Sequence, residues 1–167
     1  MKSTRMILSV FALSVVSAFA VSAQTLTSLN GEKVDLQGQN GKVVVLAIGA
    51  SWLRLSKDQV LITGKLQKKY AAKEVVIYFV ATDSLNTRSK NYASDEQLKA
   101  FALKCKLTAD ILRDSDGLLT LKKFSIDQLP SFVILDKTGK MSGEAFGGID
   151  PESDLSIPLS KAIDKLL

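Results

Sequence analysis

Cys105 is the only cysteine in a chain of 167 residues that contains no histidine at all. One thiol cannot form an internal disulfide. The missing imidazole removes the usual general base and the commonest zinc ligand. Cys105 stands seven residues after Leu98, with Phe101 and Ala102 between them at i+3 and i+4. That spacing marks the buried stripe of a helix over Asp95 to Lys106, where an unpaired cysteine acts as a small apolar core residue. Lys104 and Lys106 flank it, and in an exposed setting they would lower its pKa and make it a reactive thiol. Ser56 follows Trp52-Leu53-Arg54-Leu55. A serine nucleophile needs an adjacent base, and Lys57, its neighbour on a helix, faces elsewhere, so Ser56 is expected to cap the helix or meet solvent. Asp114-Ser115-Asp116-Gly117 begins like a calcium loop, yet Leu118 to Lys122 adds no acid. It reads as a turn, and no metal site follows from it. There is no phosphate-binding glycine loop, and no cofactor is implied.

The elements that must position these residues alternate. Thr25 to Leu36 forms two short pieces around Asn30-Gly31, a hairpin signal. Val43 to Ile48 is a continuous apolar run, expected of a strand buried on both faces. Leu55 to Ala72 carries Ile62, Leu66 and Tyr70 at four-residue spacing and reads as a helix. Val75 to Val80 is a second apolar strand, Ser84 to Ser94 a surface loop, and Leu118 to Phe124 a short helical piece. Ser131 to Leu135 is a third strand, and Asp136-Lys137-Thr138-Gly139 turns it into a last strand, about Lys140 to Phe146. Pro158 to Leu167 closes the chain as a helix with Leu159, Ala162, Ile163 and Leu166 on its buried side, the proline in its first turn. The pattern is that of an α/β domain.

Three features together carry a family resemblance. Trp52 lies at the junction of the Val43 to Ile48 strand and the following helix, Leu129-Pro130-Ser131 opens the third strand, and Asp136-Lys137-Thr138-Gly139 follows it. In order and spacing the chain resembles a thioredoxin-like protein of the TlpA/ResA (redoxin, AhpC/TSA-like) type. The resemblance implies a central mixed sheet flanked by helices, with an N-terminal β-hairpin. That family carries Trp-Cys-x-x-Cys at the junction, where this chain has Leu53 and Ser56 in place of both cysteines. Leu53 cannot ionise, attack or form a mixed disulfide. The resemblance also implies that Leu129-Pro130 is a cis-proline loop beside the turn, pairing with bound peptide backbone. From the residues alone, a proline that simply opens a strand fits as well.

The expected function is therefore a module that binds a protein or peptide and is redox-inactive at its turn, with a groove of Trp52, Leu53, Leu55, Ser56, Leu129 and Pro130. Trp52 and Leu55 have two readings, an exposed apolar rim or part of the core. The alternative function is a thiol-disulfide oxidoreductase or peroxidase that uses Cys105 or a partner's thiols. Residues 1–23 read as a secretory signal peptide: Lys2 and Arg5, an apolar stretch from Met6 to Ala20, then Val21-Ser22-Ala23 at the cleavage site. The apolar stretch is short for a membrane span. A single thioredoxin-like domain over 24–167, periplasmic or secreted after cleavage near Ala23 and without stable membrane insertion, is expected. The net charge of +5 falls to 5 − 2 = +3 without Lys2 and Arg5, since residues 1–23 hold no acid. The lysines have few aromatics among them, which argues against nucleic acid as a partner.

Overall fold

The computed structural model describes residues 25–37, 39, 41–150 and 152–167. The signal peptide read over 1–23 lies outside the described residues. Among those described, no helix is long and apolar enough to cross a membrane.

The chain runs through β1 (Thr25–Ser28), β2 (Lys33–Asp35), β3 (Val43–Gly49), α1 (Ser56–Tyr70), β4 (Val75–Ala81), α2 (Asp95–Cys105), β5 (Asp110–Arg113), α3 (Thr120–Lys123), β6 (Ser131–Leu135), β7 (Phe146–Gly147) and α4 (Ser156–Asp164). The seven strands form one sheet in the order β2-β1-β5-β4-β3-β6-β7. β3, β4 and β5 are mutually parallel neighbours, whereas β6 runs antiparallel to β3.

The apolar run of β3 is buried along its whole length, and its side chains alternate between two cores, as the two-residue period of a strand requires. Val43, Val45 and Ala47 face a layer built from Ile62, Leu66 and Tyr70 of α1, Leu98 of α2, and Leu159 and Ile163 of α4. Val44, Leu46 and Ile48 face Leu26 and Leu36 of the N-terminal hairpin, Leu112 of β5 and Phe124 after α3. The apolar stripes read for α1, α2 and α4 are the sides that pack. α2 opens with a capping box between Ser94 and Gln97, which satisfies two backbone donors at its first turn.

Three readings need correction. β5 has no counterpart among the expected elements. It is four residues long, and its apolar content is Ile111 and Leu112, one to each core. The strand expected over Lys140 to Phe146 is interrupted. Met141 bridges Leu135, and regular pairing resumes with Phe146 and Gly147 against Phe132 and Ser131. The expected turn is present, with Gly139 N–H donating to Asp136 C=O at 2.9 Å. Gly139 has a φ of +79° and sits against the Gln37 backbone, so a side chain there is excluded on both counts. The loop from Ser84 to Ser94 is not wholly on the surface: Ser84 and Ala93 are buried, tied by Ala93 N–H donating to Ser84 C=O at 3.2 Å.

α4 is moored to α1 by two exposed ion pairs. Lys69 meets Asp164, and Lys65 meets Asp154 just before α4. The Lys65 ammonium, followed by the Ser156 hydroxyl, holds the Asp154 carboxyl down to about 2, below its ordinary 3.8. A lowered folded-state pKa means that the carboxylate favours the folded state above its ordinary value. This contribution is lost as pH falls from 3.8 towards about 2. Lys65→Met is expected to raise the Asp154 midpoint towards 3.8 in an NMR titration. A midpoint unmoved by the substitution would discount the pair.

Candidate functional site

β3 and β4 end at the same edge of the sheet because they are parallel, and β6 begins there because it is antiparallel. Ile48 pairs with Ser131, so the turn after β3 lies beside the Leu129-Pro130 loop. The Leu129-Pro130 peptide bond is cis, as the resemblance implied, and Pro130 is buried. Among the described residues, neither the backbone N–H nor the C=O of Leu129 has a hydrogen-bond partner.

The turn itself is a ladder of short loops. Leu53 N–H donates to Ala50 C=O at 3.2 Å, Ser56 N–H to Leu53 C=O at 3.1 Å, and Gln59 N–H to Leu55 C=O at 3.0 Å. Trp52 is 51% exposed, which removes it from the core and decides between its two readings. Leu53 and Leu55 are half-buried and Arg54 is exposed. Ser56 neither caps nor meets solvent, contrary to expectation. The cap position is Leu55, without a side-chain cap bond, and Ser56 is fully buried with an unpartnered Oγ. The reason is steric. Gly49 has no side chain, and a Cβ there would collide with Gln59 Oε1 and stand 3.1 Å from Ser56 Oγ. The first turn of α1 thus presses directly onto the end of β3.

Two polar residues that sequence reasoning missed hold this arrangement. Gln59 is fully buried, and its amide donates to Ile48 C=O at 3.1 Å and Ser131 C=O at 2.8 Å. It therefore ties α1 to β3 and β6. The available signal was a glutamine on the same stripe as Ile62, Leu66 and Tyr70. Asp83, also fully buried, follows β4. Its carboxylate accepts from Ser51 N–H at 3.1 and 3.0 Å and from Ser51 Oγ at 2.5 Å. The turn that presents Trp52 is fastened from beneath by a carboxylate of the neighbouring strand.

The remaining candidates lie elsewhere. α2 leads away from this edge, so Cys105 at its last position sits at the opposite end of the sheet. It is half-buried and packs against the core. Asp114 is buried and organises the next turn, accepting from Leu119 N–H at 3.0 Å and Thr120 N–H at 2.7 Å. Ser115–Gly117 forms a 3-10 turn, as read. Among the described residues, no three acids or cysteines are grouped to hold a metal ion. The junction offers apolar surface and backbone, and its hydroxyls are Ser51 Oγ, which donates to Asp83, and the buried Ser56 Oγ.

A central sheet with parallel strands, a turn at the β3-to-α1 junction and a cis-proline facing it define a thioredoxin-like protein. The model of the AhpC/TSA family matches residues 17–143. The chain belongs to that family, and its lone cysteine means that it lacks the paired thiols of the redox turn. It is 34% identical over 115 residues to the thioredoxin-like protein YneN of Bacillus subtilis, covering 69% of this chain and 62% of that one. It is 26% identical over 122 residues to the thiol-disulfide oxidoreductase ResA of Bacillus cereus, covering 73% of this chain and 65% of that one. The chain thus spans less than two thirds of the length of these relatives. Among solved structures, the exposed lipoprotein thioredoxin Etrx1 of Streptococcus pneumoniae superposes with a TM-score of 0.65 at 22% identity, over 86% of this chain and 99% of that one.

Proposed function

We propose that the protein is a non-catalytic binding module of the cell envelope, which holds an extended apolar segment of a partner protein between the Trp52–Ser56 turn and the Leu129-Pro130 loop. The observation that carries this reading is Trp52. A large apolar side chain stands half in solvent on a turn fixed by a buried carboxylate, next to a residue whose backbone donor and acceptor are unused. Exposed apolar surface on a rigid support is the mark of an interface. Ser56 and Pro130 support the groove from below, while Trp52, Leu53, Leu55 and Leu129 face the segment. Location in the envelope is supported by the leader-like residues 1–23 and by the exposed lipoprotein among the structural relatives.

Trp52 is the only tryptophan, so its fluorescence reports the groove directly. Titration with apolar peptides is expected to shift the emission. Trp52→Ala is expected to weaken binding by about 2 kcal/mol, roughly thirtyfold, as for an interface anchor. Unchanged affinity in that variant would remove the groove from consideration. The competing reading, an enzyme acting through Cys105, requires a thiol activated by the fold. Cys105 packs against the core, so alkylation at neutral pH is expected to be slower in the folded protein than in the denatured one. Faster reaction in the folded state would favour the thiol enzyme.

A further inference from the structure

We infer that the docking face extends beyond the groove, along the ends of the parallel strands to Leu85 and Leu118, and that it selects a partner segment in which apolar residues alternate with carboxylates. The inference rests on the binding role proposed above and adds the length and charge of the ligand. Leu85 follows β4, Leu118 follows β5 and Trp52 follows β3, so all three emerge at one edge of the sheet. They are 57%, 77% and 51% exposed. Each neighbouring crossover thus places one large apolar side chain in solvent.

The three loops are bonded to one another as well as adjacent. Asp83 accepts from Ser51. Leu85 N–H donates to Ser115 Oγ at 3.0 Å, Ser84 Oγ donates to Asp116 at 3.2 Å, and Asp116 N–H donates to Thr82 C=O at 3.2 Å. This bonding makes the edge a fixed platform. In the order β5-β4-β3-β6, Leu118, Leu85, Trp52 and the cis-proline loop follow one another across three strand spacings, about 14 Å. Four to five extended residues, at about 3.3 Å each, cross that distance.

The charge of the occupant follows from the same loops. Arg54, Arg88 and Lys90 are exposed on them, and none is in an ion pair among the described residues. The exposed acids at this edge are Asp116, already engaged by Ser84 and Ser115, Asp127 ahead of the proline loop, and Glu96 in the first turn of α2. An apolar rim bordered by three unpaired cations complements a segment with interleaved carboxylates and disfavours one with interleaved lysines.

The test uses three synthetic peptides of one apolar pattern, carrying glutamate, glutamine or lysine at the intervening positions, followed by Trp52 fluorescence and peptide anisotropy. The glutamate peptide is expected to bind at least about tenfold more tightly than the lysine peptide at low salt, with the gap closing at high salt. In R54E/R88E/K90E, whose substitutions are all on exposed positions, that ranking is expected to invert. L85S/L118S is expected to bind the glutamate peptide about fivefold more weakly while keeping the circular dichroism of the parent. If W52A loses binding but L85S/L118S does not, the segment is confined to the groove: the extension falls and the binding role stands. A charge ranking unaffected by R54E/R88E/K90E overturns the choice of ligand, and binding of none of the peptides overturns both readings.

Discussion

Replacing Leu53 and Ser56 together by cysteine is expected to create an oxidisable dithiol in a protein that has none. Ser56 N–H bonds to Leu53 C=O at 3.1 Å, the closure of a four-residue turn, whose ends lie within about 7 Å. Disulfides span Cα separations of about 4.4–6.8 Å, so the turn accommodates one. A thiol at position 53 would sit partly exposed at the start of α1, where the helix dipole lowers a cysteine pKa from about 8.5 towards about 7, giving roughly tenfold more thiolate at neutral pH. A thiol at position 56 would replace a buried hydroxyl that bonds to nothing, so little is lost there. After mild oxidation, L53C/S56C should titrate with one thiol, Cys105, where the reduced form has three. It should also reduce insulin, which the parent should not. Three titratable thiols after oxidation would mean that the turn has diverged from disulfide geometry as well as losing its side chains. The same experiment separates two histories of the site: a scaffold that lost only its reactive atoms, or one remodelled around a different task.

The second large effect is expected at Asp83. Its carboxylate is the hydrogen-bond acceptor for both Ser51 N–H and Ser51 Oγ and has no exposure to water. Asp83→Ala leaves two half-buried donors of Ser51 without their acceptor and is expected to cost about 2 kcal/mol in chemical denaturation, at unchanged m value. Asp83→Asn keeps one acceptor oxygen and is expected to cost about half as much. Loosening Ser51 also frees Trp52, so peptide affinity should fall in both variants more than the change in fraction folded explains. A variant with full affinity at reduced stability would make Asp83 structural and unconnected to the groove.

Local patterning carried much of this molecule. The apolar runs at Val43, Val75 and Ser131 are strands because a strand buried on both faces has no polar side to show. The stripes of α1, α2 and α4 were legible because a helix packs one side. Leu53 and Ser56 were enough to read the loss of the redox turn, since thiol chemistry needs thiols. β5 was not legible, because Ile111 and Leu112 are too few to show a period. The last strand was legible as the partner of β6, but not its interruption between Met141 and Phe146.

The site divides in the same way. The fold class, the position of the turn and the proline loop, and the absence of paired thiols were all legible in the residues. That Trp52 is exposed and Ser56 buried, and that Gln59 and Asp83 brace the turn, emerged only from the packed sheet. Those outcomes depend on partners far away in the chain. Asp83 bonds to a residue 32 positions before it, and Gln59 to one 72 positions after it. A periodicity reports only which side of its own element a residue occupies. Whether a polar side chain on that side finds a partner, and whether an apolar one finds a cover, is settled when strands distant in sequence are set side by side in the sheet.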